Sequence, residues 1–234
     1  MVPPARELLD TWERGRTRHP LDRALLLYAL ATRDAPPASL ADEPLGRRNV
    51  ALLRFRQAAF GRQLHAFTDC PACAQRLEFE LDVGDLYDPD APIEKAIRFD
   101  GRQFRLPTTR DLASIVQETD VDDASMALLR SCLVADPDGP GDNAPLPAID
   151  LVEAALEAAD PVADIVLDFS CEACDCSWQA PLDVPGFLWE ELETQAARLL
   201  DEVHLLASAY GWSEAEILAM PDARRGAYLE RVLA

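Results

Sequence analysis

Two short cysteine pairs, Cys70-Pro71-Ala72-Cys73 and Cys171-Glu172-Ala173-Cys174, constrain the fold of this chain more than any other feature. Each is a C-x2-C, the spacing at which two thiolates in one tight turn converge on a single metal ion. The segments around them are related. A shift of 101 residues lays Cys70 on Cys171, Cys73 on Cys174, Leu77 on Trp178, and Leu81-Asp82-Val83 on Leu182-Asp183-Val184. After the first pair, Leu77, Phe79, Leu81 and Val83 alternate with Glu78, Glu80 and Asp82, and Ile165-Val166-Leu167-Asp168-Phe169 leads into the second. Period two marks a half-buried strand. The pattern predicts two strand–knuckle–strand units that share one ion, the plan of a zinc ribbon interrupted by a long insertion.

Two such knuckles supply four thiolates, the donor set that soft ions such as zinc take. They complete the tetrahedron and leave no position for water, so the expected cofactor is one structural Zn2+ on Cys70, Cys73, Cys171 and Cys174. Rival readings fit less well. Redox C-x-x-C chemistry is expected beside a βαβ pattern, which is missing here, and structural disulfides are rare in the cytosol. Two separate ions would lack ligands, since the only histidines are His19, His65 and His204. Cys132 falls in the apolar pattern of Leu128, Leu129 and Leu133 and reads as core. Cys176 has three open roles: a surplus thiol, a ligand in place of Cys174, or a redox-sensitive neighbour.

The remainder reads as mostly helical, giving an α+β fold with a small zinc-ribbon-like β element formed by the two distant knuckles. Residues 1–62 carry helices, with apolar faces at Leu8, Leu9 and Trp12, from Pro20 to Leu30, and from about Pro44 to Gly61. Residues 63–84 and 163–185 form the ribbon halves. Between them, 85–162 is an inserted α/β segment with a hairpin at Asp100-Gly101. It also has helices around 111–116, 124–133 and 149–158, and a proline- and glycine-rich loop at 136–147. Residues 186–234 are helical: Leu188, Leu192, Ala196, Leu199, Val203, Leu206 and Tyr210 recur at three- and four-residue steps. Gly211 stops that helix, and Ser213 with Glu216 forms a capping box for the next.

Charge narrows the function. The 42 acidic residues outweigh the 22 basic ones, for a net charge of −20, which disfavours nucleic acid and anionic lipid as partners. No apolar run approaches the roughly 18 residues of a membrane span, and Met1 to Trp12 lacks the layout of a signal peptide. The expected location is therefore the cytoplasm. Glycine-rich phosphate loops, nucleophile elbows and HExxH helices do not occur. Hence no catalytic residue, no further cofactor site and no small-molecule substrate are expected. Arg47, Arg48, Arg54 and Arg56 read as surface salt bridges ahead of a patch for an acidic partner.

Three stretches together resemble a known family. They are Leu8-Leu9-Asp10-Thr11-Trp12-Glu13-Arg14-Gly15 with His19-Pro20-Leu21-Asp22-Arg23-Ala24-Leu25-Leu26, the two knuckles, and the ending from His204 through Tyr210-Gly211-Trp212-Ser213 to Tyr228-Leu229. The layout resembles accessory proteins of phage-tail-like contractile injection systems, which look related to the baseplate-hub assembly proteins of contractile-tailed phages. The resemblance implies a non-enzymatic assembly factor or structural component of the baseplate or hub. Its partners would be other baseplate or hub subunits, and it could itself be incorporated into the particle. A zinc-ribbon regulator or adaptor of another intracellular complex is the alternative. Trp12, Trp189, Trp212 and Tyr210 are candidate interface anchors, and Trp212, Arg224, Arg225 and Tyr228 a candidate contact surface.

Overall fold

Prolines and glycines set most helix boundaries. In the computed structural model, which describes residues 3–33, 37–88, 94–135 and 147–234, α1 (Ala5–Gly15) follows Pro4. Helix α2 (Pro20–Thr32) opens on a proline, with the Leu21 N–H donating to His19 Nδ1. After the short α3 (Pro37–Leu40), α4 (Leu45–Phe60) starts behind Pro44 and ends at Gly61, whose φ of 94° a side chain would resist. The chain then runs through β1 (Gln63–Asp69) and β2 (Arg76–Asp82), an antiparallel pair. Strands β3 (Ala96–Phe99) and β4 (Arg102–Arg105) turn at Asp100-Gly101, both at positive φ as a two-residue hairpin requires. Helices α5 (Thr109–Ile115) and α6 (Val121–Cys132) follow. Then β5 (Leu133–Val134) joins β4 as a third strand, and α7 (Ile149–Ala159) closes the insertion.

The second hairpin, β6 (Val166–Ser170) with β7 (Ser177–Pro181), leads directly into α8 (Val184–Tyr210), a helix of 27 residues. Gly211 takes the left-handed cap position that ends it. Ser213 and Glu216 form the expected capping box of α9 (Glu214–Leu218), and α10 (Asp222–Leu233) completes the chain. The result is an α+β fold, mostly helical, with small antiparallel sheets. Most of the 136–147 loop, and part of the break between α2 and α3, lie outside the described residues. No helix among the described residues is long and apolar enough to cross a membrane.

Helix α8 is the axis of the main core. Leu188, Leu192, Ala196 and Leu199 are almost completely buried against α1, α2 and α4, whose contributions include Leu8, Leu27 and Leu52. The stripe is thus covered mainly by the N-terminal helices, with Leu64 and Val83 of the first ribbon half joining the same core. Trp189 belongs to this core as well; its ring lies against Gly15, with the Arg23 guanidinium 4.9 Å above it. A separate, smaller core in the insertion gathers Phe104, Leu106, Leu129, Cys132, Val152 and Leu156. Cys132 is fully buried there, and burial pushes its thiol up to about 11.

A group of contacts ties the two halves of the chain together around the start of α4. The Gly46 N–H donates to Asp160 Oδ2 (2.9 Å), so a residue at the end of α7 caps a helix 114 positions earlier. Beside it, Asn49 Nδ2 donates to the carbonyls of Val162 and Ala163, and Arg48 Nη1 donates to Thr109 Oγ1. A Cβ at Gly46 would sit 1.6 Å from Asp160 Oδ1, whereas one at Gly226 on α10 meets nothing within 4 Å. Gly46→Ala should therefore cost about 1–3 kcal/mol. Gly226→Ala should add about 0.5–1 kcal/mol by removing backbone entropy from the unfolded chain. Urea unfolding of both variants measures this, with midpoints expected to move in opposite directions.

Candidate metal centre

Each knuckle is built by the backbone before its sulfurs matter. The Cys70 N–H donates to Gln75 O and the Ala74 N–H to Cys70 O (both 2.9 Å). In the second knuckle the Cys171 N–H donates to Cys176 O (2.9 Å) and the Asp175 N–H to Cys171 O (2.8 Å). Ala74 and Asp175 hold the same left-handed conformation, at φ 58° and 55°. For non-glycine residues this costs on the order of 1 kcal/mol each. The turns are thus equivalent down to the strained position, as the 101-residue shift requires. Nothing in the sequence signals that position, since neither residue is glycine.

The hairpins exit alike too. Asp82 accepts from Gly84 N–H and Asp183 from Gly186 N–H, and the next residues, Val83 and Val184, drop into the main core. The first exit makes a single 3-10 turn, Val83–Asp85; the second grows into α8. Between base and tip, Phe79 meets Phe169 edge-on at 5.0 Å, and Phe169 stacks on Trp178 at 5.4 Å. Aromatic side chains hold the hairpins together where no strand hydrogen bonds join them.

This framework brings Cys70, Cys73, Cys171 and Cys174 together. Their sulfurs lie within 4.8 Å of one another. Cys70 Sγ is 3.7 Å from Cys174 Sγ, and Cys73 Sγ is 3.6 Å from Cys171 Sγ. A tetrahedral ion bonded to sulfur at about 2.3 Å would set its ligands roughly 3.8 Å apart, so the cluster has the dimensions of a four-thiolate metal site. Cys70 and Cys171 are buried; Cys73 and Cys174 lie at the exposed tip. All six cysteines are free thiols.

Electrostatics make the cluster ask for a cation. Burial raises the Cys70 thiol, but the amides of Cys73 and Ala72 and the thiols of Cys174 and Cys73 outweigh it and bring it down to about 6. At Cys174 the Cys176 amide favours the thiolate, yet the Cys73 thiol, burial and the thiols of Cys70 and Cys171 push the group up to about 12. At Cys73 the Gln75 amide and the Cys174 thiol favour the thiolate, but burial and the thiols of Cys171 and Cys70 raise the group overall. Cys70 gives up its proton readily while Cys73 and Cys174 resist, so a divalent ion that binds the cluster as thiolates must displace protons as it does so.

Other sequence candidates scatter. Cys176 stands outside the cluster; it contributes its backbone carbonyl to the knuckle, while its thiol is partly exposed. His204 is on the exposed side of α8. The arginine series makes no common patch. Arg47 pairs with Glu43 on the surface, whereas Arg48 and Arg56 are only 6% and 5% exposed, and Arg56 binds Glu191 of α8. Arg225 is likewise buried, held by Glu202 and Asp222, so it drops out of the proposed contact surface.

Comparisons with protein-family models, with curated proteins and with solved structures find no match to this chain. The site therefore rests on its own chemistry. Cys174→Ser should abolish tight metal binding, and Cys176→Ser should leave it unchanged, measured as metal retained per chain after gel filtration. The opposite pair of results would move the fourth ligand to Cys176.

Proposed function

We propose that this chain is a non-enzymatic assembly protein, stapled by one structural zinc, and that it serves as an assembly factor or incorporated subunit of the baseplate or hub of a phage-tail-like contractile injection system. The observation that carries the first part is the closed donor set. Four thiols gathered within 4.8 Å can complete a tetrahedral shell, and zinc, which takes four thiolates and has no redox chemistry, suits such a site. With every position filled by sulfur, the ion has no place for a water or substrate, so its work is to clip the hairpins together.

That clip closes a loop of 98 residues between Cys73 and Cys171. By the chain-entropy argument used for cross-links, such closure removes about 4–5 kcal/mol of freedom from the unfolded chain. Apo protein should consequently lose the order of its hairpins first. The purified protein is expected to contain one zinc per chain and to unfold at a markedly lower temperature after chelation. Metal analysis that finds no zinc, or calorimetry that finds no shift, would overturn the zinc assignment.

The baseplate part rests on the resemblance of the N-terminal, knuckle and C-terminal stretches, and the ending has a surface suited to it. Tyr210 stacks on Trp212 at 4.5 Å, and Tyr228 meets Trp212 edge-on at 4.8 Å. The cluster is partly exposed, the environment in which aromatic anchors work at interfaces. Truncation after Gly211 would not test it, because Ile217 and Leu218 are buried in the body. The combined change Trp212→Ala and Tyr228→Ala should instead leave zinc content and fold intact while abolishing co-purification of baseplate subunits and the yield of sheathed particles. Normal particle assembly with that variant would remove this surface from the reading.

A further inference from the structure

Each hairpin is a two-stranded sheet, so its outer edges carry backbone groups with no strand partner among the described residues. The phase of the ladder tells which residues face outward. In the first hairpin the Val83 N–H donates to Arg62 O and the Cys70 N–H to Gln75 O. Counting in twos along the register between these closed pairs, Leu64, Ala66 and Thr68 turn their N–H and C=O groups toward β2, and His65 and Phe67 turn theirs away.

The four edges are not equivalent. By the same count, the β2 edge presents Glu78 and Glu80, β6 presents Asp168 beside a half-exposed Val166, and β7 presents Pro181, which has no N–H. Charges and prolines are the usual guards against an added strand. The β1 edge instead carries Phe67, which stays 58% exposed although the Arg76 guanidinium lies 4.1 Å from its ring.

That edge also opens on a groove of about 610 Å³ whose far wall is the first half of α8. His65, Ala66 and Phe67 all line it, and no residue of β2 does. Lined by β1 and α8 and by nothing of β2, the hollow lies on the outer side of β1. Phe60 and Phe187 make it apolar, and Glu190 and Glu191 make it acidic. Glu191 is held by Arg56, whereas Glu190 is exposed and has no ion pair among the described residues.

We propose that the groove between β1 and α8 binds an extended segment of a protein partner, with apolar and basic side chains together on the face turned to α8, which adds to β1 as a third strand. Its backbone pairs with His65 and Phe67, its apolar side chains pack on Phe60 and Phe187, and a lysine or arginine meets Glu190. A chain of net charge −20 favours a cationic occupant. A second copy fits poorly, being equally acidic and having its own α8 alongside its own β1 edge. The inference goes beyond the assembly role and stands whatever complex the chain joins.

The test uses the full metal-loaded chain and a displayed library of short random peptides. Enriched peptides should carry apolar residues and a Lys or Arg at every second position and slow amide exchange at His65 and Phe67. They should bind at least about tenfold more weakly to Glu190→Lys and Phe67→Pro, and equally well to Asp168→Pro, the matching change on β6. Phe67→Pro removes an N–H that the ladder does not use; if metal analysis shows that it fails to fold, Thr194→Arg blocks the groove from the exposed side of α8. Absence of enrichment, selection of acidic or helical peptides, or binding indifferent to Glu190→Lys and the blocking variant would overturn the proposal. So would a concentration-dependent dimer that the blocking variant abolishes, which would give the groove to a second copy.

Discussion

Two turns about a hundred residues apart in sequence put sulfur atoms 3.6 and 3.7 Å from each other across the hairpins. At that separation two thiolates repel by roughly 4 kcal/mol at an effective dielectric constant of 20, so four of them stay together only around a cation. The arrangement of the rest follows from having to deliver both knuckles to one point. Each hairpin is too small to be stable alone, and each is planted at its base in the main core through Val83 or Val184.

The helices do the delivering. Helix α4 runs straight into β1, and its first turn also grips the segment before β6 through Gly46 with Asp160 and Asn49 with Val162 and Ala163. Helix α8 leaves from β7 and returns to α4 through Arg56 and Glu191, a largely buried ion pair with bonds of 2.8–3.2 Å. The hairpin bases are therefore fixed from both sides, and an ion at the tips needs only to order the last few residues. This division lets the inserted segment keep a core of its own while Asp160, Thr109 and Val162 hold it to α4.

Much of this is legible in the sequence because the signals are local or periodic. The knuckles, the 101-residue shift, the Asp100-Gly101 turn, the α8 stripe and the Ser213–Glu216 box each declare themselves within a few residues. What escapes is either too short or too distant. Strand β5 is two residues long and shows no alternation, and α3 is a single turn. The cap on α4 comes from Asp160, which no local pattern links to Gly46. Arg48, Arg56 and Arg225 look like surface residues in a list of charges, and only tertiary contacts reveal that they are buried. The open edge of β1 is invisible for the same reason, since it depends on where α8 passes.

The account centres on one tetrahedral ion shared by two hairpins, and X-ray absorption at the zinc edge tests that most directly. The protein as purified should give four sulfur neighbours at about 2.3 Å and no shell of nitrogen or oxygen in the first sphere. A first sphere of mixed sulfur and light atoms, or fewer than four sulfurs, would mean that the knuckles do not share a closed site, and would contradict the clip on which the fold is argued to depend.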